Sequence, residues 1–160
     1  MLSIRPATVR DATLLKTLIR ELAEYERLSH EVVITEEDVL RDGFGERPKF
    51  RAIIAEWDGQ VAGYALFFEV YSSFQGRAGL LLEDLFVRPQ YRSKGIGKAL
   101  LVRLAEIALR EQYSYLRWEV LDWNTPAIEF YKKLGGVFLD EWKTVFLLRD
   151  ALQAVAGIAG

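Results

Sequence analysis

The 160-residue chain has no cysteine, one histidine, one methionine and four prolines. Without cysteine there is no disulfide, no thiolate metal site and no cysteine nucleophile. His30 stands alone in "RLSHEVV", which reads as a loop, so a metal centre would lack a second imidazole. A serine–histidine triad would depend on this one residue, with no nucleophile-elbow motif in the chain. No metal is expected. No apolar run approaches membrane-spanning length, and "MLSIRPATVRD" lacks the apolar core of a signal peptide, which gives a cytoplasmic location and no membrane partner as the expectation. The net charge of −2 speaks against nucleic-acid binding, which relies on neutralising many phosphates.

What is present is an ordinary globular composition, 51% apolar and 28% charged, without repeats or linker-like tracts, which predicts one domain over 1–160. "MLSIRPA" alternates as a strand. Leu14, Leu15, Leu18, Ile19 and Leu22 keep helical spacing from Asp11 to about Tyr25. Thr35 precedes Glu36, Glu37 and Asp38 as an N-cap before acidic first-turn residues, in a short helix that should stop at Gly43. "FRAIIAEW", "DG" and "QVAGYALFFEVYS" form a hairpin pattern. "AGLLLEDLFV" is apolar on both faces and so a central strand. A long helix follows, with Ile96, Leu100, Leu101, Leu104, Ile107 and Ala108 inward. "SYLRWEVLD" reads as a strand and "NTPAIEFYKKLGG" as a helix capped by Thr125, with Pro126 in its first turn and Gly135 or Gly136 ending it. "VFLDEWKTVFLLR" supplies one or two closing strands. The class is α/β (mixed).

Three features stand out. In "VRPQYRSKGIGKALL" a strand runs into Gly95-Ile96-Gly97 and then a helix, with Arg88, Arg92, Lys94 and Lys98 around the turn. Helix N-terminal N–H groups lack internal partners and favour an anion, and glycines let a ligand come close. A Walker loop would need Ser or Thr after Lys98, where Ala99 stands, and a dinucleotide fingerprint would need a small residue where Leu100 stands. A phosphate cradle and a plain turn with a basic rim both stay open. Glu83 and Asp84 interrupt the central strand. Alternation groups Glu83 with Leu81, Leu85 and Val87, and Asp84 with Leu82 and Phe86. Such acids are either satisfied by arginines and backbone N–H groups or serve as a base or cation grip in a cleft. Tyr131 shares an inward face with Ala127, Ile128 and Leu134, as a core tyrosine or as a phenol acting as an acid.

Together these pieces resemble the GNAT superfamily of acetyl-CoA-dependent N-acetyltransferases. "YRSKGIGKALL" carries the R/Q-x-x-G-x-G/A signature at Arg92, Gly95 and Gly97. "LIRELAEYERL", "DGFGERP", "LLEDLFVRPQYRSKGIG", "VLDWNTPAIEFYKKLG" and "DEW" are similar to the diamine (spermidine/spermine) and thialysine acetyltransferases. The resemblance implies a mostly antiparallel sheet, splayed at a V-shaped slot by a bulge and flanked by about four helices. It implies acetyl-CoA as cofactor, with Ser93, Lys94, Gly95, Ile96, Gly97 and Lys98 around its pyrophosphate, together with Arg92. Leu85, Phe86 and Val87 would lie along its pantetheine arm, with Asn124 and Lys133 near its far end. Glu83 would be the base and Tyr131 the acid in direct attack by an amine within a ternary complex. Tyr25, Glu26, Glu83, Asp84 and Asp140 would hold a small cationic amine: a diamine, a polyamine or a lysine-like amino acid. A homodimer is expected. Acetylation of proteins or drugs, or an acyl-CoA sensor without turnover, are the alternatives. A short loop at Asp58-Gly59 and a compressed region around Asp140 depart from the animal polyamine enzymes.

Overall fold

Alternating and helical hydrophobic periods become real elements wherever each finds an apolar face to cover. In the computed structural model, which describes residues 1–157, they do so in two compact units, Met1 to Leu121 and the residues from Asp122 onward. The first unit carries a five-stranded sheet in chain order: β1 (Leu2–Pro6), β2 (Arg51–Trp57), β3 (Gln60–Ser72), β4 (Arg77–Val87) and β5 (Leu116–Arg117). The first four strands run antiparallel and β5 joins β4 in parallel. Asp58 and Gly59 both take positive φ, 49° and 77°, and turn β2 into β3 as the Asp-Gly pair predicts.

Helices α1 (Ala12–Tyr25) and α2 (Glu36–Phe44) cover one sheet face, where Leu15, Leu18, Leu22 and Val39 pack with Ala52, Tyr64, Leu66 and Phe86. Helix α3 (Ile96–Arg110) buries Ile96, Leu100, Leu101, Leu104, Ile107 and Ala108, as its spacing predicts. The cap of α2 is Thr35, whose hydroxyl accepts from the Asp38 N–H at 3.1 Å while Asp38 accepts from Thr35 in return. The helix runs through Gly43, its predicted stop, and ends at Phe44. Beneath α1, Arg5 grips Asp11 with two bonds of 2.8 and 2.9 Å and also reaches Glu56.

The second unit contains α4 (Thr125–Lys133) and α5 (Arg149–Val155). Asn124, rather than Thr125, caps α4: its side-chain oxygen accepts from the Ala127 N–H. At the other end Gly135 takes φ 88°, and the Gly135 and Gly136 N–H groups bond the carbonyls of Lys132 and Tyr131. Leu134, expected inward, is exposed. One strand expectation is met only in part, at the end of the first unit, and another fails here. "SYLRWEVLD" pairs only at Leu116 and Arg117, and 137–148 forms no strand, leaving Val145, Phe146 and Leu148 largely exposed, before α5 begins. Alternation marks a segment able to pair, but a strand also needs a partner edge, and within the described chain this segment has none.

Candidate active site

The centre of the first unit's site is a one-residue irregularity. Along β3 and β4 the partners run Ala65 with Leu85 and Leu66 with Asp84, and then Phe67 with Leu82. Glu83 is therefore the extra residue of a β-bulge, and it is exposed. The bulge breaks simple alternation. Asp84 falls on the face of Tyr64 and Phe86, opposite to Leu82, and Glu83 leaves the row of Leu81. Pairing of β4 with β5 stops at Leu81 with Arg117, although β4 continues to Val87. The sheet thus parts at the bulge, and the edge from Glu83 through Leu85, Phe86 and Val87 has no β5 neighbour.

Asp84 is half-buried and accepts a 2.9 Å bond from the hydroxyl of Tyr64, a fully buried residue of β3. Burial pushes the Asp84 carboxyl up to about 6 against the lowering influence of that bond, and the negative charges of Glu83 and Glu26 push it further up. Burial and the Asp84 carboxylate hold the Tyr64 phenol well above its ordinary range, so it stays a donor. Glu26, at the end of α1, is also raised, first by burial and then by Glu83. Three carboxyl groups from α1 and β4 therefore share one electrostatic neighbourhood, next to Tyr25. Sequence reasoning missed Tyr64; its only signal was an inward position in a strand otherwise lined by apolar residues.

The turn after β4 opens onto a helix start without a side-chain cap. Ser93 and Gly95 take positive φ, 63° and 75°, and Gly95 is the N-cap of the 15-residue α3. No side chain caps that end and no acid stands in its first turn, which leaves its N–H groups to an external acceptor. A Cβ at Gly95 would meet nothing within 4 Å, and one at Gly97 only Val87 Cγ2 at 3.9 Å, so both glycines border open space. The cations differ from one another. Arg88 is a fixed part of the frame: both its Nε and Nη2 donate to Glu21, and Nη1 donates to the Val61 carbonyl. Arg92 stacks over Tyr25 at 4.4 Å and donates to the Val87 carbonyl, joining the turn to the end of α1. Lys94 lies over Trp57 at 5.0 Å, and Lys98 is exposed.

In the second unit Tyr131 is buried on α4 beside Phe130, and Asn124 is buried as the helix cap. Lys133 is exposed in the last turn of α4, and Asp140 is exposed in a turn. His30 sits in an exposed 3-10 turn next to Glu31. Among the described residues no group of His, Asp and Glu has a metal-holding arrangement, and no helix is long and apolar enough to cross a membrane.

A sheet that parts beside a carboxyl cluster, with an uncapped helix start at the mouth of the gap, defines a class. Such a site offers a free strand edge to an extended ligand and unpartnered N–H groups to an anion. Known proteins agree on the class. The acetyltransferase (GNAT) family profile matches residues 13–136, across the boundary of the two units. The thialysine N-epsilon-acetyltransferase of Mus musculus is 41% identical over 96% of each chain. A spermidine/spermine N(1)-acetyltransferase-like protein of Homo sapiens is 35% identical over 91% of this chain and 22% of its own. A crystal structure of a predicted acetyltransferase with acetyl-CoA from Clostridium acetobutylicum superposes with a TM-score of 0.75 at 21% identity, covering 92% of this chain and 97% of that one. The chain belongs to the GNAT acetyltransferase family and is an N-acetyltransferase, with the mixed, mostly antiparallel sheet of that family.

Proposed function

We propose that this enzyme acetylates the terminal primary amine of a small cationic substrate, a diamine, a polyamine or a lysine-like amino acid, by direct attack in a ternary complex with acetyl-CoA. What supports this most is the gathering of Glu26, Glu83 and Asp84 beside the stretch of β4 that β5 leaves uncovered. A carboxyl cluster of this kind concentrates cationic amines and has no use for an anionic or neutral acceptor. Relatives named for thialysine and for spermidine or spermine share an amine at the end of a flexible chain, which fits such a cluster.

Acetyl-CoA, when bound, supplies an activated thioester, and its pyrophosphate matches the donors of the turn. The open space at Gly95 and Gly97 and the uncapped start of α3 suit that group, with backbone N–H groups from Ser93 to Lys98 as donors and Arg92 and Lys94 free to swing from their aromatic rests. Leu85, Phe86 and Val87 would border the arm of the cofactor, and Asn124 and Lys133 its far end. Tyr25, Glu26, Asp84 and Asp140 would hold the substrate. Glu83, exposed at the bulge, would take the proton that the ammonium must lose before it can attack. A backbone N–H of β4 would face the oxyanion, and the Tyr131 phenol would give its proton to the departing thiolate. The two units act as one domain in this reading, which the family match across both supports. The exposed apolar residues of 137–148 favour a homodimer that covers them.

A free-thiol assay over spermidine, putrescine, thialysine and lysine tests the reading. Thiol release with at least one of these amines, and none with neutral acceptors, is the expected result. Acetyl-CoA binding without thiol release for any amine would make the protein a sensor. Release only with a protein or drug acceptor would refute the substrate class.

A further inference from the structure

A cavity of about 250 Å³ in the first unit lies away from the site described above. It opens where the end of β1, the start of β2, the end of α2 and the second half of α3 meet. The sheet itself separates the two places. Strand β2 starts at the cavity with Arg51 and ends at Trp57, against which Lys94 of the glycine turn rests, about 20 Å further on at a strand's rise. Along α3, the cavity residue Arg110 stands fifteen residues beyond Gly95, about 22 Å down the axis.

The lining combines two chemistries. Phe44, Phe50 and Phe67 supply apolar walls, and Arg5, Arg51, Arg103 and Arg110 supply cations, while no carboxylate lines the space. Two of the arginines are structural. Arg5 is held by Asp11 and Glu56, and Arg51 donates to both oxygens of Glu111 while lying over the Phe67 ring at 5.1 Å. The other two keep donors to spare. Arg103 meets only Glu106 one turn along the exposed surface of α3, a weak kind of pair. Arg110 comes no closer than 4.0 Å to Glu111, whose oxygens Arg51 already occupies. The wall at Phe50 is also a built feature. Its ring packs so closely on α2 that a Cβ at Gly43 would stand 2.7 Å from its Cζ, and α2 keeps a glycine there although alanine would favour the helix by about 1 kcal/mol.

We propose that this cavity is a second ligand site, taking a small organic acid with an aromatic or branched apolar body. The body enters between the phenylalanine rings and the carboxylate meets Arg103 and Arg110. A space equal to about eight waters of liquid volume admits one ring and a short tail.

Isothermal titration of the full chain with 3-phenylpropanoate tests this, beside 3-phenylpropanamide and inorganic phosphate. The expected result is saturable binding of the acid, with the amide and phosphate each weaker by about tenfold or more, the share of charge-assisted bonds and of apolar burial respectively. The double variant Arg103→Gln/Arg110→Gln, altered only at exposed positions, should bind the acid about tenfold or more weakly. It should acetylate amines at the parental rate. The proposal is overturned if the acid does not bind, if the amide or phosphate binds equally well, or if the double variant binds the acid unchanged.

Discussion

Replacing Asp84 by asparagine should make the protein more stable near neutral pH while weakening its hold on amines. The carboxyl sits on the buried face of the bulge, and burial together with Glu83 and Glu26 lifts it from 3.8 to about 6. An acid raised in the folded state binds its proton more tightly there than in the unfolded chain. Below about pH 4 both states hold the proton and the group is neutral to stability. Between about pH 4 and 6 stability falls as pH rises, and above 6 the full penalty is present, at most about 3 kcal/mol for a displacement of this size. Asparagine keeps an oxygen to accept the Tyr64 hydroxyl and carries no charge, so it should recover about 1–3 kcal/mol at pH 8. Urea unfolding of both proteins at pH 4 and pH 8 measures this. The variant should lead at pH 8, with the gap closing by pH 4. A variant equal to or less stable than the parent at pH 8, or a gap indifferent to pH, would refute the reasoning. In kinetics the parental KM for a cationic amine should fall as pH rises through about 6, and the variant should lack that step.

The remaining predictions concern parts that act differently. Asp11→Asn should destabilise by about 2 kcal/mol at pH 7, because the Arg5 hydrogen bonds hold Asp11 down to about 2. That stability is present above about pH 4 and lost as pH falls towards 2, so urea midpoints of variant and parent should converge in acid. Gly95→Ala should lower stability by about 1 kcal/mol, since its Cβ meets open space and only the positive φ resists it; a loss of several kcal/mol would mean a clash the structure does not contain. Tyr131→Phe should reduce kcat by about a hundredfold with little change in amine KM, and unchanged turnover would remove its role as the acid. Glu83→Gln should likewise act on kcat, and an effect confined to KM would assign Glu83 to binding instead.

Local chemistry explains which parts of the fold were legible in the sequence. The Asp58-Gly59 turn, the capping box at Thr35 and the apolar stripe of α3 each lie within a few residues and need no knowledge of partners. The glycine turn before α3 belongs with them, because positive φ at Gly95 and a bare helix start are local properties. Arg88 reads in the sequence as one more cation around the turn, and its fixed place is hidden for the opposite reason: its partner Glu21 stands 67 positions earlier, and only the packing of α1 on the sheet brings it there. The closing strands failed because pairing belongs to two segments and alternation describes one.

The bulge at Glu83 shows why the site itself was only half legible. "LLLEDLFV" announces two acids in an apolar strand, and alternation alone sends them to opposite faces with their neighbours in step. What separates their roles is a register shift visible only against β3, where Leu66 faces Asp84 and Phe67 faces Leu82. The shift turns Asp84 inward to Tyr64 and leaves Glu83 exposed where the sheet parts. One carboxyl is thereby raised and hydrogen-bonded, suited to hold or release charge as pH changes, while its neighbour meets whatever enters the gap. The same sequence without the bulge would keep Asp84 in one row with Leu82, on the face away from Tyr64. Deleting Glu83 should therefore abolish acetyl transfer even if the core refolds, because it removes the bulge and its outward acid while Asp84 stays opposite Leu66.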